Sequence, residues 1–287
     1  MRLPRTYPLA ALLSLLALPA LSWAQGFEGT IETRTISVDE EALYYFLDPE
    51  GEAEEEPDVT KIFDIPVAQM IATTPEWGEV EVEQLTYHIK GTMMRVDGGV
   101  DEEMPGYALL DFASGTFQLV NPAERMVLEM TKEDFEQMKE IVPGYGEEEE
   151  EAREKARVRP LGQSKEINGM SCTAFEIASG EDLTIAWVTR DLQDVVDVFL
   201  ELESRMKGMG MFEEDDEDTE VFLLVAEHGF PVVEQTLTQS EWGGSTYEVS
   251  AVTSVERRSL SDDLFTAPAD YERRSILEMF RMFGGGN

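Results

Sequence analysis

The sequence contains few side chains that could act as nucleophiles. Its only cysteine, Cys172, lies in GMSCTAFEI, which has the pattern of a β-strand. A catalytic thiol needs a nearby cation or a helix N-terminus to lower its pKa, and the local sequence offers neither. One cysteine cannot form an internal disulfide, and it lies far from any N-terminal lipidation position. We interpret Cys172 as a small, buried, reduced core residue.

The two histidines give no sign of a metal or catalytic motif. His88 and His228 lie 140 positions apart, and neither shows the two-histidine spacing of a zinc site. Ser204 and Lys207 match S-x-x-K, but the companion motifs of that enzyme class are missing. The sequence contains no G-x-S-x-G elbow and no P-loop. A Ser-His-Asp triad can assemble from residues that are distant in the sequence, so the sequence does not exclude one. The sequence therefore predicts no catalytic residue, no cofactor and a protein that is not an enzyme.

Three methionines could bind a soft metal. Met206, Met209 and Met211 have the spacing of thioether ligands for Cu(I). No histidine or cysteine accompanies them, so we favour a helix end that continues into an apolar, glycine-containing loop. No metal site is predicted.

The N-terminus has the features of a secretory signal. Arg2 and Arg5 precede a short apolar run, and Ser22 and Ala24 have the spacing of a signal-peptidase site. The run is too short and too interrupted by proline for a comfortable membrane span, although an uncleaved anchor is the alternative. The sequence predicts a signal peptide over residues 1–24, with the mature chain in the periplasm or outside the cell. No transmembrane segment is expected in the mature chain.

The charge is strongly negative. The sequence contains 22 Lys and Arg and 60 Asp and Glu, so the formal net charge is −38. Such a polyanion will not bind nucleic acid or an anionic membrane surface electrostatically. The acids cluster near 50–58, 146–155 and 212–220, which are typical of solvated insertions. Calcium binding is the functional alternative, but the third cluster lacks the glycine of an EF-hand loop.

Strand patterns dominate the rest of the chain. GTIETRTISV alternates, and EVEVEQLTYHIKG changes phase between Val82 and Leu85, which predicts a β-bulge. Short strands then follow one another through turn signals. EVFLLVAE, at 220–227, also reads as a strand. In total we expect about ten strands.

Two amphipathic helices are expected. Thr131 and Asp134 form a capping signal for the first, whose apolar face contains Phe135, Met138 and Val142. Asp191 is expected to cap the second. Its apolar stripe is formed by Leu192, Val195, Phe199, Leu202 and Met206.

A series of motifs resembles a known family. The series is YHIKGTMMRVDG, LLDFASGTFQLVNPAERMVLEM, GQSKEINGMSCTAFEI, LTIAWVTRDL, GFPVVEQTL and VERRSLSDDLFTAPADYE. It resembles a bacterial family of exported domains of unknown function and, more distantly, the LolA/LolB superfamily of periplasmic lipoprotein carriers and receptors. The resemblance implies an unclosed β-barrel that binds acyl chains between its sheet and helices. The long acidic insertions depart from that superfamily, and its working residues cannot be mapped position by position.

These observations predict a mainly β fold, a large curved antiparallel sheet forming an unclosed half-barrel, with two or more helices on its concave face. A single domain is expected over residues 25–272, followed by an amphipathic tail over 273–287. By fold analogy, a pocket would be lined by some of the core residues Tyr87, Met94, Phe117, Phe175, Trp187 and Phe199.

The predicted function is a non-enzymatic exported binding domain. It would hold an apolar ligand or a lipidated partner such as a lipoprotein between sheet and helices. The alternative is a structural or interaction protein of the cell envelope with a filled core, whose acidic loops meet partners or cations.

Overall fold

The structure is a computed structural model of the chain. It describes residues 26–50, 57–73, 75, 77–98, 106–134, 137, 156–208, 217–239 and 244–278. The predicted signal peptide, the acidic cluster at 146–155, and Phe135, Met138, Val142, Met209 and Met211 lie outside the described residues.

One sheet of twelve strands organises the described part of the chain. The strands are β1 Glu28–Val38, β2 Val80–Lys90, β3 Met93–Asp97, β4 Tyr107–Asp111, β5 Thr116–Asn121, β6 Met126–Met130, β7 Arg157–Ile167, β8 Met170–Ser179, β9 Asp182–Thr189, β10 Phe230–Gln239, β11 Ser245–Arg257 and β12 Glu272–Ser275. Their order across the sheet is β12-β6-β5-β4-β3-β2-β1-β11-β10-β9-β8-β7. All pairs are antiparallel except β12 with β6. The first and last strands of this order do not pair, so the sheet is open, and the predicted fold class is confirmed.

Four α-helices have both ends described, α1 Glu40–Leu47, α2 Val67–Ala72, α3 Gln193–Gly208 and α4 Glu217–Ala226, with 3-10 helices at Val59–Asp64 and Asp262–Phe265. Residues 132–134 and 137, in the first predicted helix, are also helical, as are 276–278. Of α1 to α4, only α3 was predicted. EVFLLVAE lies almost entirely in α4, so the prediction of a strand there was wrong. A short apolar run does not distinguish a buried strand from a buried helix. Residues 217–220 of the third acidic cluster are likewise helical rather than an insertion loop.

The two faces of the sheet carry different layers. We call the side of Ile31, Ile89 and Glu234 the front face, and the side of Ile36 and Val249 the back face. On the back face, α1, α2 and the first 3-10 helix pack over a core that includes Ile36 and Val249. On the front face, α4 packs over β8 and β9. Helices therefore cover both faces.

The apolar phase of β2 changes because the strand faces both layers. Val80 and Val82 lie on the back face, opposite Val38 and Ile36, while Tyr87 lies on the front face opposite Ile31. The pairing of β2 with β1 runs without a shift along its whole length. The predicted β-bulge at this point was therefore wrong.

The sheet divides where β10 and β11 separate. These strands pair only from Val233 and Ala251 to their turn ends. Beyond that point β10 continues along β9 to Phe230, and β11 continues along β1 to Arg257. Each strand has a bulge where the two part, which bends it locally.

Helix α3 packs at this division. Its buried residues Val195 and Leu202 share one apolar cluster with Ile31 from one half of the sheet and with Ala174 and Phe230 from the other. Leu192, Val195 and Leu202 are buried, as the predicted stripe requires. The side chain of Met206 lies outside the description. Asp191 is not the N-cap residue that was expected, because the helix starts at Gln193 and the carbonyl of Leu192 accepts from the backbone N–H of Val196 at 3.1 Å. The carboxylate of Asp191 accepts the backbone N–H of Ser171 at 3.2 Å.

The capping signal at the end of β6 is present. The backbone N–H of Asp134 donates to Thr131 Oγ1 at 3.3 Å, and the backbone N–H of Thr131 donates to Asp134 Oδ2 at 2.9 Å. This reciprocal pair is a capping box.

The C-terminal segment crosses the back face of β2 to β6 and then joins the sheet. Lys90 Nζ binds Asp262 Oδ1 at 2.6 Å and the carbonyl of Leu260 at 2.7 Å. Ala267 and Tyr271 pack against Leu109, and β12 then pairs along β6. The first residues of the predicted tail therefore belong to the sheet.

Candidate functional site

Apolar side chains form two continuous rows across the front face from β2 to β6. In one row the register places Tyr87, Val96, Ala108, Leu119 and Leu128 side by side. The neighbouring row consists of Ile89, Met94, Leu110, Phe117 and Met130. We call these ten residues the apolar band.

The middle of the apolar band is only partly covered. Ile89 and Met94 are buried at the α3 side, and Met130 is buried against Leu277 at the other end. Between them, Val96 and Leu119 are half-buried, as are Tyr87, Ala108, Leu110 and Phe117. A strip of apolar surface therefore remains accessible between two buried ends.

The six residues expected to line a ligand pocket fall into three places. Tyr87, Met94, Trp187 and Phe199 lie in or against the cluster around α3. Phe117 packs near Met130 at the end of the apolar band. Phe175 packs under α4, where its ring stacks on His228 with centroids 4.4 Å apart. Tyr87, Met94 and Phe117 thus share the apolar band, whereas the other three lie elsewhere.

A second feature of the front face is polar. A cavity of about 410 Å³ lies over β8 to β11, beside α4. Three acids line it, Asp182, Glu234 and Glu248, with six serine and threonine residues. Ile177, Val221 and Phe222 form its apolar part. Thr184 and Thr236 are joined by a hydrogen bond of 2.9 Å across β9 and β10.

Glu234 is the most perturbed carboxyl described. Burial, and secondarily the neighbouring charge of Glu248, raise the pKa of Glu234 to about 7. Its side chain is half-buried and opens to the cavity. No hydrogen bond or ion pair joins its carboxyl to the described part of the chain. An unpaired acid in this position is a common mark of a binding or catalytic site.

Sequence reasoning missed this cavity, although a signal was present. Polar residues recur with period two at 234, 236 and 238 in β10, and at 246, 248 and 250 in β11. Such a pattern ordinarily indicates a solvent-exposed strand face. Only the pairing of the two strands brings both sets together under α4.

A hydroxyl, an imidazole and a carboxylate meet on the back face. Thr30 Oγ1 lies 3.2 Å from His88 Nδ1, and His88 Nε2 lies 2.9 Å from Asp97 Oδ2. A triad for acyl transfer has these three groups, but its hydroxyl must reach substrate. Thr30 is 5 % exposed and also accepts a hydrogen bond from Arg258 at 3.3 Å. The arrangement ties the C-terminal segment to the sheet.

Cys172 is buried, as expected for a core residue. It is 0 % exposed, and burial is the largest cause that raises the pKa of its thiol. Its Sγ lies 3.5 Å from the carbonyl of Met170. A thiol with a raised pKa is a poor nucleophile near neutral pH.

The described residues contain neither a cluster of metal ligands nor a membrane-spanning helix. No group of three His, Cys, Asp or Glu side chains within them could hold a metal ion. Nor is any helix in this part of the chain long and apolar enough to cross a membrane.

Comparison with solved structures gives remote matches. Two crystal forms of PNGF-II, in space groups C2 and P21, are each 10% identical to the chain, with TM-scores of 0.34 and 0.32. These matches cover 89% and 88% of this chain, which spans about a third of the PNGF-II chain, 33% in both cases. A LolA superfamily protein, NE2245 from Nitrosomonas europaea, is 8% identical with a TM-score of 0.26, covering 83% of this chain and 90% of the other.

Comparison with sequences places the chain in a family. No curated protein matches it. A family model described as "Domain of unknown function (DUF4412)" matches residues 67–271, from α2 to just before β12. The expected resemblance to a family of unknown function is thereby confirmed, and the solved structures that match include a member of the LolA superfamily. The chain belongs to the DUF4412 family.

Proposed function

We propose that the protein is an exported, non-enzymatic binding domain that holds an apolar ligand, or the lipid chain of a partner protein, on the apolar band. The observation that carries this proposal is the half-buried middle of the band, where Val96, Leu110 and Leu119 remain accessible on adjacent strands. Contiguous apolar surface of this kind is uncommon on a protein without a partner for it.

The chemistry of the reactive groups supports a role in binding rather than catalysis. Thr30 is enclosed behind the C-terminal segment, and Cys172 is enclosed beside α3. A nucleophile that substrate cannot reach contributes nothing to covalent catalysis. The arginines and apolar run at the N-terminus support export.

Competition with a fluorescent apolar probe tests the proposal. N-phenyl-1-naphthylamine should bind the protein with saturable fluorescence, and a fatty acid should displace it. Leu119→Ser places a hydroxyl in the accessible part of the band, so we expect it to weaken probe binding about tenfold or more. Val82→Ser is the matched control, because Val82 is 46% exposed on the back face and should leave binding unchanged.

Two results would contradict an apolar ligand. One is saturable probe binding that Leu119→Ser and Val82→Ser reduce equally. The other is a protein purified under mild conditions that carries no lipid by native mass spectrometry and binds no probe.

A filled core favours the second candidate, an interaction protein of the cell envelope. Ala174, Val195 and Val196 are all 0% exposed in the cluster around α3, so the space between α3 and the sheet is already packed. Under this alternative the apolar band would meet another protein rather than a small ligand. Probe binding that is absent from the free protein, together with a stable protein complex recovered through a cross-linker at Leu119→Cys, would support it.

A further inference from the structure

The polar cavity beside α4 continues into a second cavity along the sheet. The second has a volume of about 330 Å³ and is lined by Asp39, Glu79 and Glu81 among others. Both cavities are lined by Thr246 and Glu248, so they meet at β11. Together they form an elongated acidic groove over β11, which shares no residue with the apolar band.

The described charged residues that line this groove are all acidic. Asp182, Glu234 and Glu248 line the first cavity, and no lysine or arginine is among the described residues that line either cavity. The acids on the strands are held on one face by the register, since Glu234 lies opposite Ser250 and Glu248 lies opposite Thr236. Like charges held this close repel one another unless a cation or a proton intervenes.

Glu234 is the second, independent sign of a ligand. It is the carboxyl that opens to the cavity and has no hydrogen bond or ion pair within the described part of the chain. Burial and Glu248 raise its pKa, so near neutral pH a proton on Glu234 relieves the repulsion. A bound cation would take the place of that proton.

The remaining lining defines the kind of cation. A metal ion needs several carboxylates converging on one point, and no such group exists among the described residues. Ile177, Val221 and Phe222 instead offer an apolar wall next to the acids. A chain of methylene groups that carries ammonium groups at intervals suits both surfaces, because its methylenes contact the wall while its N–H groups donate to carboxylates and hydroxyls.

We propose that this groove is a binding site for linear alkylammonium compounds, with an ammonium group seated at Glu234 and a second near Glu248. The chemistry is shared by free polyamines and by the lysine side chains of a basic peptide. The site contains no residue of the apolar band. A negative result with an alkylammonium ligand would therefore leave the proposed function unaffected, and a negative result with an apolar ligand would leave this site unaffected.

Calorimetric titration of the full protein with spermidine tests the site. We expect saturable binding near one equivalent, at least tenfold weaker in Glu234→Gln and weaker also in Glu248→Gln. Binding should be tighter at pH 8 than at pH 6, because Glu234 must lose its proton to accept the amine. Glu32→Gln is the matched control, since it makes the same change of charge on the back face of the same sheet.

Other outcomes separate a built site from general attraction to an acidic protein. An equal loss of affinity in Glu32→Gln and Glu234→Gln, or no measurable heat with spermidine, would overturn the proposal. Glu248 is exposed, so Glu248→Gln should fold even if Glu234→Gln does not, and unchanged binding in it would also count against the site. Tighter binding of trilysine than of spermidine would identify the ligand as a basic peptide. Tighter binding of spermidine would identify it as a free polyamine.

Discussion

Glu234 and Glu248 lie on adjacent strands of the same face, each directly opposite a hydroxyl residue of the other strand. Their carboxyls therefore share one cavity, with Asp182 on the next strand. The repulsion adds to the burial of Glu234, whose pKa rises from 4.5 to about 7. This pair connects the stability of the protein to pH.

We predict that Glu234 destabilises the folded protein above neutral pH. Because its pKa is higher in the folded state, the folded protein binds more protons than the unfolded chain between about pH 4.5 and 7. Stability attributable to this group therefore falls as pH rises through that interval. Glu234→Gln should be the more stable protein at pH 8, by at most roughly 3 kcal/mol, and should match the wild type near pH 4.5.

Urea denaturation of both proteins at several pH values gives the comparison. Only the difference between them is informative, because many other carboxyls titrate over the same range. A difference that does not change between pH 4.5 and 8 would show that Glu234 titrates normally.

We also predict that salt stabilises the protein. The net charge of −38 acts against the compact state, and at 0.1 M salt charges are screened beyond a distance of about 10 Å. Thermal denaturation should shift to higher temperature between 0.05 and 1 M sodium chloride. A melting temperature that stays constant or falls over this range would mean that the loss of ion pairs outweighs the relief of self-repulsion.

Much of this architecture follows from the sequence, and the exceptions have physical causes. The hairpin around Gly180 is local, so its turn residues predict it. The phase change in β2 was misread as a bulge because a sequence does not show that the two ends of one strand direct their apolar side chains to opposite faces. The residues of α4 were misread because their apolar run is too short for its period to be decisive. The acidic groove was not foreseen, because it needs strands from distant parts of the chain.

Cys172 should react slowly with thiol reagents. Its side chain is 0% exposed and burial raises the pKa of its thiol, so both access and thiolate content are low. With Ellman's reagent at pH 8 we expect labelling at least a hundredfold slower in buffer than in 6 M urea. Rapid labelling of the folded protein, or a covalent dimer without reducing agent, would indicate that the strand β8 opens readily.

Arg95 should be important for stability although its side chain lies on the opposite face of β3 from the apolar band. It donates to Asp97 at 2.6 and 3.0 Å and to the carbonyl of Leu264 at 3.3 Å, and its guanidinium stacks on Tyr107 at 3.8 Å. Arg95→Ala leaves a partly buried carboxylate with fewer partners, so we expect a loss of about 2–4 kcal/mol.

Arg159→Ala is the comparison for that variant. Arg159 pairs with Glu176 at 2.7 Å but is exposed, so its loss should cost less than about 1 kcal/mol. Equal effects in the two variants by chemical denaturation would mean that the contacts of Arg95 do not hold the C-terminal segment.

The position of β1 has a consequence for the order of folding. This strand comes first among the described residues, yet it lies in the middle of the sheet, with Gly29 opposite both Ile89 and Arg257. Its partner β11 is therefore more than two hundred residues away along the chain, whereas most other neighbours are joined by short turns. Pairing over such a separation is entropically expensive and slow. The two outer parts of the sheet can form early from local hairpins. The pairing of β1 with β11 at the centre can form only when almost the whole chain is available.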